Sequence, residues 1–403
     1  MKEIQLTIKA LSPLAIGRQK PGGSISEAQD YIPGSVIRGA VAGQMLRQSG
    51  ADPEQPGGDF QTLFVDEGAA IFSNAYPTVE GRRSQVLPAT AVSSKTAPGF
   101  KNDKDDSGGV FDTLIDRFCA EGFGHLYDPN CPKDGGRVEP YGGFYSREGQ
   151  QYRSHSVETR LLTRVGINRR RSTAQEQVLY SLQVINETQK QGKEDTLFSS
   201  SIYLEDAPLA QLLAQYVGSS HLRLGGSASR GLGKVEIQAQ VKDYQADTYS
   251  RIDAFNTALR DRWRAWENIF GNPQSPLPGE RRFFTLNLQS DAILTEQWRR
   301  TTVISPAVLC AMAGVDDSDL QLHATYSSYD YRSGWNAAWG LMKDVEMVTN
   351  KGAVYFFSTS SLESWKPALK ELEHRGVGER TPEGFGQVQV CSNFHQVFRE
   401  DAA

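Results

Sequence analysis

Long apolar runs are missing from this chain. No stretch approaches the ~18 residues that suggest a membrane span, and residues 1–17 alternate like a strand where a signal peptide would carry an apolar block. A cytoplasmic protein without membrane attachment is the expectation. Cysteine is scarce: Cys119, Cys131, Cys310 and Cys391 are scattered over 403 residues, which excludes a disulfide framework and suits a reducing compartment. Positive charge is not in excess either. With 43 basic against 48 acidic residues the formal charge is −5, so bulk attraction to nucleic acid is excluded and any such site must be a local patch. A dinucleotide fingerprint is absent, since neither glycine cluster has the required spacing or follows a first strand.

The remaining composition, 38% apolar and 23% charged, is that of a globular protein, and the length suits two domains with insertions. Residues 3–10 alternate as a strand, with Ile4, Leu6 and Ile8 on one side. A helix is predicted from about Ser35, with Val36, Ile37, Ala40, Val41 and Met45 on one face. Residues 91–109, polar and rich in Gly and Ser, read as a mobile loop. Residues 127–145, dense in Gly and Pro, read as an irregular insertion. Strands over 159–168 and 178–185 flank a basic turn and form a long hairpin. A short helix is expected over 208–217, strands over 221–224 and 234–240, and an amphipathic helix over 249–270. After the linker 271–279, the pattern predicts strands at 283–289 and 353–358, helices at 306–313 and 362–375, and a closing strand at 387–391.

The second half repeats the plan of the first, and β-α-β-β-α-β is the ferredoxin-like order. The expected class is therefore α+β, with two ferredoxin-like domains and a thumb-like hairpin. Residues 1–240 form the first domain, interrupted by an insertion at about 75–155. Residues 241–280 are a helical linker and 281–403 the second domain. A glycine-rich loop precedes the last strand of each: Ser229-Arg230-Gly231-Leu232-Gly233 in the first and Glu383-Gly384-Phe385-Gly386 in the second. Glycine at such places lets another backbone approach or permits a positive φ, so each loop is either a phosphate cradle or a strained turn.

Between Tyr152 and Arg171 stand six arginines, among them Arg164, Arg169, Arg170 and Arg171, against one acid, Glu158. This is either an RNA-contacting patch or a solvated basic face. Tyr152 and Tyr180 lie beside it, and Tyr329, Tyr331, Trp335 and Trp339 are available in the second half. Rings of this kind stack on unpaired bases, although Trp335 and Trp339, four apart, equally suit a core-facing stripe.

These motifs resemble the RAMP proteins of CRISPR effector complexes. Tyr-Ile-Pro-Gly-Ser-Val-Ile-Arg-Gly-Ala (31–40) is similar to the family's helix start, and the two glycine loops resemble its domain-closing loop. Residues 164–182 resemble its strand, basic turn and second strand. Residues 331–357 are similar to the tandem-domain subunit of type III-D complexes. The resemblance implies a subunit that holds the guide RNA (crRNA), capping its five-prime repeat-derived handle. Its expected partners are the crRNA, target RNA indirectly, backbone RAMP subunits and a large polymerase-like subunit. Arg38, Ser229, Arg230, Gly231 and Gly233 would then approach the RNA backbone, with Gly384, Phe385 and Gly386 as second-domain counterparts and Arg169 to Arg171 as the thumb tip.

Catalysis is not expected. Cleavage of RNA needs a positioned general base, and six scattered histidines offer no constellation; His155, among arginines, is the nearest to one. Asp112 and Asp116 are nominal candidates for a target-cutting carboxylate. The alternatives to RNA holding are a metal-independent endoribonuclease that processes precursor crRNA and a scaffold that binds proteins alone. No cofactor is expected. Cys119, His125 and Cys131 approach the spacing of a zinc knuckle, but Asp134 stands where related chains would offer the last cysteine, so the ligand set is poor.

Overall fold

The computed structural model describes residues 1–18, 27–49, 57–79, 81–101, 107–168, 173–190, 192–336 and 340–403. Arg169, Arg170, Arg171 and Trp339 lie outside these residues, so the basic turn and the tryptophan stripe do too.

The first sheet is built around the strand Lys2–Ala10. Val235–Asp243 pairs antiparallel on one side and Leu197–Leu204 on the other, with the short strands Ile71–Phe72 and Tyr76–Thr78 completing the edge. Period-two alternation decides its two faces. Ile4, Leu6 and Ile8 are almost fully buried beneath helix α1 (Gly34–Ser49), whose Ile37 and Val41 share their core. The short helix α2 (Gly58–Phe64) closes one end of it. Gln5 and Thr7 point the other way.

The insertion between residues 79 and 155 holds two small three-stranded sheets and helix α3 (Leu114–Gly122). The loop expected over 91–109 begins here as a strand, Ala91–Ser94, buried along its whole length. Its serines are compatible with burial because they are satisfied locally: Ser93 Oγ donates to Gly109 O at 2.8 Å and accepts from Gly99 N at 3.1 Å. Phe100, Tyr145 and Tyr152 from the insertion pack with Phe394 and Val397 near the C-terminus, which ties the insertion to the second half.

Strands Thr159–Asn168 and Thr173–Ile185 form a two-stranded ribbon of their own. The first sheet instead takes Leu197–Leu204, a strand not anticipated, while residues 221–224, expected as a strand, make a single bridge from Arg223 to Lys234. Helix α4 (Ala207–Ser219) starts at Asp206, whose side chain accepts from Leu209 N at 2.8 Å.

Helix α5 (Thr248–Phe270), placed by the sequence pattern in the linking segment, packs Ile252, Phe255, Leu259 and Trp263 into the second core. The second sheet runs in the order Gln321–Tyr326, Val354–Thr359, Arg282–Leu288, Val388–Val390. Its central strands are buried on both faces. On one side Phe283 and Phe356 meet Phe118 of α3 and, through Phe356, Phe255 of α5. Helix α6 (Pro306–Ala313), capped by Ser305, and α7 (Leu362–Arg375) complete this core, and on the opposite face Trp365 of α7 packs on Phe284. The whole is a mixed helix and antiparallel-sheet structure. Among the described residues no helix is long and apolar enough to cross a membrane.

Candidate nucleic-acid interface

The two glycine loops share one backbone. In the first, Ser227 (φ 57°) leads into a single 3-10 turn closed by Gly231 (φ 88°). In the second, Arg380 (φ 59°) leads into the same turn closed by Gly384 (φ 91°). Their hydrogen bonds also correspond. Gly233 N donates to Pro13 O at 2.9 Å, as Gly386 N does to Asp291 O at 2.8 Å; Leu224 N donates to Gly233 O at 2.8 Å, as Val377 N does to Gly386 O at 2.7 Å. In both loops the last glycine is required by its own chain. A Cβ on Gly233 would sit 2.6 Å from Leu224 O, and one on Gly386 1.8 Å from Val377 O.

The loops differ at the glycine that closes the turn. Beside Gly231 a Cβ would meet nothing within 4 Å, whereas on Gly384 it would lie 2.8 Å from Asn74 Oδ1 and from Phe72 O. Gly34, at the start of α1, belongs to the same junction: its Cβ would strike Phe72 O at 1.9 Å and Glu383 O at 2.9 Å, and its N–H donates to Asn74 Oδ1 at 2.8 Å. The second loop is thus a clamp that holds the two halves together. Phe385 is covered by Arg380, whose guanidinium lies 5.0 Å from the ring centre. Ser229, Arg230 and Gly231 of the first loop remain exposed.

The base of the ribbon stands against this open loop. Leu162 and Leu182 pack against a small buried cluster of Ala15, Val184 and Leu232. One step outward, Arg164 is the register partner of Tyr180. Arg230 lies over the Tyr180 ring at 5.6 Å and hydrogen-bonds its hydroxyl. One guanidinium group, that of Arg230, therefore covers an exposed phenol ring beside a glycine with free space, and Arg164 stands on the neighbouring strand. In the sequence Tyr180 is only an aromatic near the arginines; its contact between the ribbon and the loop depends on the tertiary fold.

Arg38 is placed differently. Its Nη2 donates to Phe64 O at 2.5 Å, and its guanidinium lies 5.4 Å from the Phe64 ring centre. Burial lowers its pKa. It braces α1 on α2.

The residues weighed for catalysis are held inside the protein. Asp116 accepts from Arg262 through both carboxylate oxygens, at 2.6 and 2.9 Å, and also from Trp266 and Tyr127. Asp112 accepts from Thr90 and from Leu114 N and lies 3.2 Å from His395. His155, 8% exposed, has its Nε2 2.7 Å from Ser146 Oγ. Burial, with Arg281 nearby, pushes the His323 imidazole down to about 4.

The zinc candidates do not all converge: Cys131 and Asp134 hydrogen-bond each other, while Cys119 and His125 are packed elsewhere. Cys119 belongs to the core of the second sheet, where burial pushes its thiol up to about 12. Cys131 faces Gly108 O, His125 packs on Phe270, and Asp134 accepts from Gly136 N. Among the described residues no three His, Cys, Asp or Glu side chains are placed to hold a metal ion.

The RAMP superfamily model matches residues 7–236. This span runs from the first strand through the open glycine loop into the last strand of the first sheet, and the chain belongs to that superfamily. Similar solved structures include a chain of the Type III-B Cmr-beta complex bound to cognate target RNA and AMPPnP. It is 13% identical, with 90% of this chain and 88% of that one covered and a TM-score of 0.43. A second, bound to cognate target RNA, is 13% identical over 90% and 89%, with a TM-score of 0.42. Oligomeric Cmr4 from Pyrococcus furiosus is 13% identical over 60% of this chain and 100% of that one, at 0.27. No curated protein matches the chain.

Proposed function

We propose that this protein is a crRNA-binding structural subunit of a type III CRISPR effector complex that holds the five-prime repeat-derived handle. The single observation that carries the reading is the open glycine loop: Gly231 leaves room for a sugar-phosphate backbone where its twin Gly384 is filled by Asn74 and Phe72. Arg164 and Arg230 supply phosphate donors beside it, and Tyr180 supplies a ring on which a base can stack. Membership of the RAMP superfamily supports the assignment. In this reading each sheet with its helices is one ferredoxin-like domain, and the ribbon is a thumb whose basic turn reaches the guide. Backbone RAMP subunits and the large polymerase-like subunit are the neighbours.

The role is non-catalytic in this proposal. Cleavage needs a base within reach of the 2′-hydroxyl, and His155, Asp112 and Asp116 are engaged inside the fold. The test is to express the chain in cells that transcribe a repeat-containing array and sequence the RNA that copurifies. A small RNA with one uniform five-prime end supports the proposal; RNA-free protein contradicts it.

A further inference from the structure

A cleft of about 640 Å³ separates the uncovered face of the first sheet from the edge of the second. Strand register lays out its floor. Ser201, Gln5 and Gln240 stand abreast on three neighbouring strands, and Ser199, Thr7 and Gln238 form the next row. Gln289, Gln387 and Gln389 line it from the second half. Some of these groups are engaged: Gln289 Oε1 accepts from Val86 N, and Gln387 Nε2 donates to Ser73 Oγ. The middle of the floor is not. Among the described residues none hydrogen-bonds the side chain of Gln5, Thr7, Gln238 or Gln240. Charge lies at the margins. Arg83 stands 3.6 Å from Glu3, Arg251 pairs with Glu373, and Lys242 has no ion-pair partner among the described residues.

We infer that this cleft is a second RNA subsite, which reads the edge of an unstacked nucleobase through the amides of Gln5, Gln238 and Gln240. The inference rests on the RNA-holding role proposed above. Each carboxamide offers both a donor and an acceptor, the combination that recognises base edges in single-stranded RNA. The volume lies in the range of small-ligand sites and suits a nucleotide. Lys242 and Arg83 at the rim suit the flanking phosphates. A peptide strand fits less well: strand addition uses a sheet edge, and on the edge strand Val388–Val390 the N–H of Val390 already donates to Glu373 and its carbonyl accepts from Arg251, while the floor is a sheet face whose backbone groups are paired.

The experiment measures the affinity of the full chain for fluorescein-labelled A, C, G and U decamers at one salt concentration. It compares wild type with Gln238→Leu/Gln240→Leu, both exposed positions, and with Arg164→Ala/Arg230→Ala. The wild type should spread at least five-fold across the four decamers. The glutamine variant should collapse that spread below two-fold while its mean affinity moves less than three-fold. The arginine variant should weaken all four alike and keep the spread. A wild type without discrimination, or a glutamine variant that retains it, overturns the subsite and leaves the RNA-holding role standing. Wild type that binds none of the decamers overturns both. Cross-links from 4-thiouridine RNA to peptides of strand Val235–Asp243 support the subsite. A neighbouring protein protecting that strand while RNA does not contradicts it.

Discussion

Gly231 and Gly384 occupy the same position in two loops of matching backbone, yet only Gly231 faces open space. One loop has been closed by the other half of the molecule, through Gly34, Phe72 and Asn74, and one left free. Equal geometry with unequal surroundings separates a glycine kept for the fold from a glycine available to a ligand.

Alanine at the two sites should therefore behave differently. Gly231→Ala carries only the strain of a positive φ, about 1 kcal/mol. Gly384→Ala adds a clash with the Phe72 carbonyl oxygen and with Asn74 Oδ1, for a total of about 2–4 kcal/mol. Urea midpoints check this; equal losses would remove the distinction.

Asp116 is a structural carboxylate. Asp116→Asn should cost about 1–3 kcal/mol, because it leaves partly buried Arg262 with Glu400 as its remaining counter-charge. RNA affinity of the folded fraction should be unchanged. Chemical denaturation paired with RNA titration checks both parts.

Thiol chemistry should follow burial. Cys119 and Cys391 are buried and their thiols are pushed up to about 12, and Cys131 is also buried, whereas Cys310 is partly exposed. Native protein should release about one equivalent in a thiol assay, mapping to Cys310, and four after denaturation. Elemental analysis should find substoichiometric zinc, given the dispersed Cys119, His125 and Cys131; one zinc per chain, lost in Cys119→Ser, would contradict that arrangement.

His323 makes the fold acid-sensitive. Its folded pKa of about 4 lies below the unfolded value of about 6.5, so the unfolded chain binds the proton first. Its contribution is complete above pH 6.5 and is lost as pH falls towards 4, by roughly 2 kcal/mol after allowance for partial exposure. His323→Gln, which can keep the bond to Ser358 Oγ, should flatten the stability profile between pH 6.5 and 4.5. An unchanged slope would assign the sensitivity elsewhere.

Much of this architecture was legible in the chain. The spans 159–168, 306–313 and 362–375 have the bounds read from periodicity and capping. The strand Leu197–Leu204 is hidden because Ser199, Ser200 and Ser201 interrupt its apolar alternation; by register Ser199 and Ser201 share the cleft side with Thr7 and Gln5, while Ser200 pairs with Leu6 and donates to Ser73 O. Residues 91–94 read as loop because their serines hydrogen-bond locally, which composition does not reveal. Both glycine loops could be found by their spacing. Which one is open could not, because Asn74 and Gly384 are far apart in sequence and meet only in the folded chain. The same holds for the metal candidates: sequence spacing placed them together, and burial of Cys119 in another core separates them.

The most direct test of the RNA site is a salt titration of single-stranded RNA binding by wild type and Arg164→Ala/Arg230→Ala. Each lost phosphate contact on a single strand should lower the slope of log K against log salt by about 0.7. The double variant should bind more weakly and lose about 1.4 from that slope, with an unchanged melting temperature. Equal affinity and equal slope in the two proteins would place the RNA elsewhere and contradict the open-loop assignment.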